Sequence, residues 1–254
     1  MLTKILVFKP KAKAYFAKSS LYALAMFGKT LGLCSQYVAR SMAKKMSVHE
    51  TDDYIGLFWR QQLQDSYTKL YVTGRELLSP GETYVFMSNH ESWMDIPAIF
   101  GAVPTSLRMV SKEGLMKVPI IGHAMVNAGF VAIDRRNTSK AIKQLDHAKA
   151  RLQEGISIWI APEGTRTRHG AIGPFKKGGF YLAKQLKKSI VPVFIEGAAA
   201  VMPPDGLVVN TNQSITVHFC DPVHFEDFEH MSMRELIDKV RSAIIAKQEQ
   251  VKSI

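Results

Sequence analysis

From residue 69 onward the chain alternates short apolar runs with longer amphipathic stretches, and this rhythm restricts the fold more than any other feature of the sequence. The runs KLYVTG (69–74), TYVFMS (83–88), LRMVS (107–111), FVAID (130–134), SIWIA (157–161), VPVFIEG (191–197) and SITVHF (214–219) have strand length and few charges. Helical patterns separate them. They run from about Trp93, from about Glu113, over residues 138–153 with Ile142, Leu145, Ala148 and Leu152 in step, near 178–187, and from Met233 to about Gln250. Strands separated by helices of roughly ten to fifteen residues predict an α/β fold with a mixed, largely parallel sheet covered by helices on both faces. Such sheets collect binding groups where strand ends lead into helices. Three polar clusters fall at such ends: NHESWMD, DRRN and PEGTRTR.

The first fifty residues are built differently. They hold nine Lys/Arg against a single acid, Glu50, and so carry +8 of the chain's net +11. Their lysines are interleaved with Phe, Tyr, Leu and Met, a mixture suited to an anionic membrane surface and too aliphatic for a nucleic-acid-binding arm. Leu21 to Cys34 is apolar but broken by Lys29, and it falls short of the roughly 20 apolar residues a spanning helix needs. It is expected to lie on or dip into one leaflet; an ordinary amphipathic helix packed on the rest of the chain is the alternative. Residues 50–70 read as a second helix whose acidic start, Glu50, Asp52 and Asp53, complements the helix dipole. The domain boundary is expected near residue 70, with a membrane-associating helical segment over 1–70 and the α/β domain over 71–254. A 46% hydrophobic composition suits a packed core. Cys34 and Cys220 stand far apart with no CxxC spacing and no secretory signal ahead of them, which points to a reducing, cytosolic setting.

Several chemistries are excluded by inspection. HESWM is not a zinc-binding HExxH, because Met94 stands in the second histidine's place, and no metal site is expected. GxSxG is absent, and in GPFKKGG the residue Gly179 occupies the position where a P-loop needs lysine. What remains is a general base: an imidazole takes a proton from an alcohol once a carboxylate fixes its tautomer. His90 and Asp95 fit those roles. On one regular helix they would diverge by about 140°; with His90 in the strand-to-helix loop and Asp95 in the first helical turn, the carboxylate turns back toward the ring, and Pro97 suits an early helical position. Taken alone, the pair equally fits a helix cap with an acid on the dipole. In PEGTRTR, Gly164 permits close backbone approach, Thr165 offers a hydroxyl, and Arg166 and Arg168 offer forked donors for a phosphate. Lys112, Arg135 and Arg136 add cations at other strand ends, so that the clusters together describe an anion-receiving crevice beside a general base.

These residues resemble a known family. NHESWMD is similar to the NHxxxxD motif of the glycerolipid acyltransferases, in particular the 1-acylglycerol-3-phosphate acyltransferases. KEGLMKVPIIG with GFVAIDR resembles their second block, APEGTRT the third and IVPVFIEG the fourth, in that order over roughly residues 70–200. Ala161 and Thr167 depart from the usual phenylalanine and serine. The resemblance implies transfer of an acyl group from acyl-CoA or acyl-carrier protein to the hydroxyl of lysophosphatidate, giving phosphatidic acid in phospholipid biosynthesis. His90 would be the general base and Asp95 its orienting partner. Arg166, Glu163, Gly164, Thr165, Arg135 and Lys112 would form the phosphate site. No cofactor beyond the acyl donor is implied. The expected setting is the cytoplasmic face of a membrane, a bacterial inner membrane, with the chain monotopic or peripheral. Two alternatives stay open: another acceptor, such as glycerol 3-phosphate or a lyso-aminolipid, and a non-catalytic basic protein docked on membranes.

Overall fold

The structure, a computed structural model, describes residues 3–11, 18–133, 150, 154–168 and 170–253. Among these residues the strands are β1 (Ile5–Phe8), β2 (Lys18–Ser19), β3 (Lys69–Thr73), β4 (Val85–Ser88), β5 (Leu107–Lys112), β6 (Val131–Ile133), β7 (Ser157–Ile160), β8 (Ile190–Glu196), β9 (Val209–Asn210) and β10 (Ser214–Phe219). The helices are α1 (Ser20–Ala43), α2 (Val48–Asp65), α3 (Asp95–Ala102), α4 (Glu113–Met116), α5 (Ile121–Asn127), α6 (Gly178–Leu186), α7 (Ala198–Val201), α8 (Phe225–Phe228) and α9 (Met233–Lys252). Eight strands form one sheet in the order β1-β3-β10-β8-β4-β7-β5-β6. Only the β1/β3 and β10/β8 pairs are antiparallel, so the sheet is mixed and largely parallel. The two-residue period of a strand then divides its side chains between two cores. Val85 and Met87 of β4 join the apolar cluster that contains Phe180 of α6 and Leu236, Val240 and Ile244 of α9, while Phe86 joins Ile99 of α3 and Leu63 of α2 on the other face. Both faces are covered, as strands apolar on both sides require.

Local chemistry sets the helix limits. α2 and α9 each begin at a reciprocal capping box, Ser47 with Glu50 and Ser232 with Glu235. α2 ends at Asp65, short of the expected residue 70, because Ser66 to Thr68 form the turn into β3. The helix expected from Glu113 is two short ones, α4 and α5, separated at Pro119, which disfavours helical geometry in the residue before it. The helix expected over 138–153 lies outside the described residues, apart from residue 150.

Within the first 70 residues, Ile5 and Leu6 of β1 pair with Val72 and Tyr71 of β3, a strand that the lysine-flanked run KILVFK does not announce. α1 packs through buried polar contacts as well as apolar ones: Gln62 Nε2 donates to Thr30 Oγ1 at 2.9 Å, and the Tyr37 and Thr51 hydroxyls lie 3.1 Å apart. The buried guanidinium of Arg108 in β5 joins three elements, donating to Asp52 of α2 at 2.7 Å and to the Ala128 carbonyl just past α5 at 2.6 Å. Among the described residues, no helix is long and apolar enough to cross a membrane.

Candidate active site

Strands β4, β7 and β5 are adjacent and parallel, so their C-terminal ends, and the loops that follow, open at one edge of the sheet. The loop after β4 carries Asn89 and His90, the loop after β7 carries Glu163 to Arg166, and β5 ends at Lys112. The chain between β4 and α3 is tied down by its own side chains. The Asn89 amide donates to the Ile195 carbonyl at 2.9 Å and accepts from the Ile195 N–H at 2.8 Å. Ser92 Oγ donates to the Met202 carbonyl at 2.7 Å.

This loop aims the imidazole. α3 begins at Asp95, and His90 Nδ1 lies 2.8 Å from Asp95 Oδ2. The same oxygen accepts from the N–H groups of Glu91 and Ser92 at 2.7 and 2.8 Å. A carboxylate oxygen with three donors converging on it makes Nδ1 the protonated nitrogen, which leaves Nε2 as the acceptor. Asp95 is fully buried, and its Oδ1 accepts no hydrogen bond among the described residues. The ring's other wall is Trp159 of β7, edge-on at 6.1 Å between centroids and itself anchored by its Nε1–H to Ser88 Oγ at 2.9 Å.

Glu163 has a place that its position in PEGTR does not suggest. The residue is 4% exposed, and its carboxylate faces inward. Oε1 accepts from the His90 backbone N–H at 3.1 Å, and Oε2 accepts from the Gly173 N–H at 2.8 Å and from the Thr167 hydroxyl. The Thr167 N–H returns a bond to the His90 carbonyl at 2.7 Å. Glu163, expected in the phosphate site, is occupied in joining two loops, and its charge would repel a phosphate. Gly164 next to it has φ +74°, a turn conformation that glycine adopts without steric cost.

His90, Lys112, Gly164, Thr165 and Arg166 line one cleft of about 550 Å³, together with Trp93, Trp159 and Ala161. Of the expected site residues, Asp95 stands behind His90, Glu163 lies beneath the loops, and Arg135 falls outside the described residues. The cleft continues into a feature that the sequence did not reveal. Trp93, Ile96, Met109 and Leu115 line both the cleft and an apolar cavity of about 110 Å³ enclosed by α1, α2, α3 and α5. Its remaining wall includes Cys34, Tyr37, Phe58, Phe100, Met125 and Phe130.

Glu91, next to the imidazole, is a strained charge. Burial raises its carboxyl above the usual carboxylate range, and the neighbouring charges of Asp95 and Glu163 add to this, against a partly offsetting hydrogen bond from Asn89 and the cation of Lys252. A raised folded-state value means that the native state holds the proton more tightly than the unfolded chain, so stability falls as pH rises from the ordinary glutamate range through the raised value. Glu91→Gln is therefore expected to melt at higher temperature than the parent at pH 8, with the gap closing toward pH 4. A constant gap across that range, followed by thermal melts, would remove the charge explanation.

Comparison with known proteins adds an independent line. A family model described as acyltransferase matches residues 69–196. A chloroplastic 1-acyl-sn-glycerol-3-phosphate acyltransferase of Arabidopsis thaliana is 31% identical over 174 residues, covering 67% of this chain and 48% of that protein. The 1-acyl-sn-glycerol-3-phosphate acyltransferase of Saccharomyces cerevisiae is 31% identical over 177 residues, 68% of this chain and 58% of that one. The chain thus spans about half the length of the curated relatives it matches. In fold it is similar to the crystal structure of the 1-acyl-sn-glycerophosphate acyltransferase PlsC from Thermotoga maritima, with a TM-score of 0.75 and 24% identity over 92% of this chain and 95% of that one.

Proposed function

The chain belongs to the acyltransferase family, and from that premise we propose that it transfers an acyl group from a thioester, acyl-CoA or acyl-carrier protein, to the free hydroxyl of 1-acylglycerol 3-phosphate, giving phosphatidic acid. The observation that carries this reading is the His90 to Asp95 hydrogen bond of 2.8 Å, set in a cleft with cations at its rim and an apolar cavity behind it. In the reaction His90 Nε2 accepts the proton of the acceptor's hydroxyl as its oxygen bonds to the thioester carbonyl carbon. The carbon–sulfur bond then breaks, and the imidazolium returns the proton to the departing thiolate. Asp95 keeps Nδ1 protonated and stabilises the imidazolium that forms between these two steps.

Lys112 and Arg166 receive the acceptor's phosphate, with Arg166 supplying the forked donor geometry that a phosphate oxygen pair fits. Gly164 and Thr165 shape that loop, and Arg135 is the further cation expected to assist. The apolar cavity takes an acyl chain, since its walls offer a methylene chain burial and the Tyr37, Thr51 and Thr30 hydroxyls along them are already hydrogen-bonded within the protein. The reaction takes place at a membrane surface, on the cytoplasmic face, in keeping with the lipid nature of the acceptor. Support comes from the basic N-terminal segment and from Leu21, Leu24 and Phe27 of α1, all of them exposed apolar side chains.

The direct test is product identification by mass spectrometry after mixing the protein with acyl-CoA and lysophosphatidate, with glycerol 3-phosphate and a lyso-aminolipid as competing acceptors. Phosphatidic acid is the expected product. Within that assay, Arg166→Ala is expected to raise the KM for the phosphorylated acceptor about tenfold or more, the weight of a charge-assisted hydrogen bond, and to leave the KM for the thioester near the parent value. Equal effects on both substrates would take Arg166 out of the phosphate site.

A further inference from the structure

Four consecutive residues between α4 and α5, Lys117, Val118, Pro119 and Ile120, are exposed, and three of them are apolar. The segment is nonetheless tightly built. Ile120 has φ +65° and ψ −60°, and the Ile121 N–H donates to the Pro119 carbonyl at 2.7 Å, which makes Ile120 the centre of a γ-turn of the rare, strained hand. A β-branched residue at positive φ is a genuine outlier, and such strain persists only where the surrounding structure over-determines it. Two bonds hold the turn: the Gly122 N–H to the Val118 carbonyl and the Ala124 N–H to the Ile120 carbonyl, both 2.8 Å. Closure is so tight that a Cβ on Gly122 would stand 2.1 Å from the Met116 carbonyl oxygen.

An isoleucine here is doubly unfavourable in water. The turn geometry favours glycine or asparagine, and the side chain, 38% exposed, leaves apolar surface uncovered beside Val118 at 37%. The bonds just named hold the backbone in its strained form, but the apolar surface of the two side chains stays uncovered within the molecule. The position in the fold suggests what covers it. Lys112, Gly114, Leu115 and Val118 line the cleft, so the hook forms part of its mouth. Two cations flank the apolar tip: Lys112, and Lys117, whose side chain is 72% exposed and lies 3.2 Å from Glu113.

We propose that this hook inserts Val118, Pro119 and Ile120 into the interfacial layer of an anionic bilayer, with Lys112 and Lys117 at the headgroups, and so holds the cleft mouth against the lipid from which the acceptor comes. The idea rests on the acceptor being a lysolipid. A preformed apolar tip suits the task because little conformational freedom is lost on insertion, and each nearby lysine adds attraction to anionic lipid.

The experiment compares the parent protein with Ile120→Gly and Ile120→Asp in vesicle sedimentation and in two activity assays. Glycine fits the turn without strain, so the first variant is expected to fold, with a melting curve as the check. Ile120 is not among the cleft-lining residues, so turnover of a water-soluble, short-chain lysophosphatidate is expected to match the parent. Binding to vesicles of phosphatidylcholine with phosphatidylglycerol is expected to fall about fivefold or more for Ile120→Gly and further for Ile120→Asp. Turnover of a long-chain acceptor presented in those vesicles should fall with it. Parent-like vesicle binding by both variants would overturn the hook while leaving the acyltransferase reading intact. A loss confined to assays with acyl-carrier protein as donor would also overturn it, in favour of a protein-docking surface. No thioester consumption by the parent protein in either assay would instead count against the acyltransferase reading, and vesicle binding would still test the hook.

Discussion

His90→Ala is expected to lower turnover by roughly 10²- to 10⁴-fold, the usual weight of a positioned general base, while the protein stays folded. The fold survives because the change leaves Asp95 with partners: Oδ2 still accepts from the Glu91 and Ser92 N–H groups at 2.7 and 2.8 Å. Asp95→Asn should also be strongly impaired, for a different reason. Oδ2 receives three donors, and an amide can present only one oxygen to them without the charge that stabilises an imidazolium. Because the two side chains act as one unit, their effects should not add. Asp95→Asn introduced into His90→Ala should cost little more than His90→Ala alone. Thiol release from acyl-CoA, read beside a melting curve for each variant, measures all of this. Near-parent turnover by His90→Ala would remove the general base, and full additivity would separate the two residues.

That pair was legible in the sequence because its chemistry is local. Five residues separate His90 from Asp95, and the only structural fact needed was that the helix starts at the acid, which the geometry of a regular helix demanded once the two were to meet. The strand-and-helix rhythm after residue 69 was legible for the same reason, since periodicity is a property of neighbours along the chain. Contacts across long sequence separations were not. β1 pairs with β3 across more than sixty residues, and nothing in KILVFK distinguishes an edge strand from a basic apolar leader. The apolar cavity is assembled from α1, α2, α3 and α5, and each of its walls taken singly reads as an ordinary buried helix face. Ile120 was hidden for another reason: its positive φ arises from the tight approach of α5 to Met116, which no property of an isoleucine foretells. The inward orientation of Glu163 was hidden because a motif names the residues of a loop without saying which way each of them faces.

Removing the Glu163 carboxylate is expected to damage both the fold and the rate, and the manner of the damage separates a positioning residue from a binding one. Glu163→Ala leaves the His90 and Gly173 N–H groups without their acceptor in a buried place, at about 1–3 kcal/mol for each group that water does not reach. A melting temperature well below that of the parent is therefore expected. Glu163→Gln is the sharper probe, since it keeps the shape. Its amide oxygen can still serve the His90 N–H, but the amide nitrogen then faces the Gly173 N–H, donor against donor, so one bond is lost and the loop after β7 loosens. Because the His90 backbone hangs from this carboxylate, the imidazole should shift, and a displacement of about 1 Å costs on the order of 10²-fold in rate. The loss should fall on kcat, with the KM for the acceptor changed far less than in Arg166→Ala, because Glu163 does not line the cleft. A variant that kept the parent kcat and lost only acceptor affinity would instead put Glu163 in contact with the substrate. The like charges of Glu163 and the acceptor's phosphate argue against that outcome, and so does a carboxylate whose two oxygens already hold three donors from its own chain.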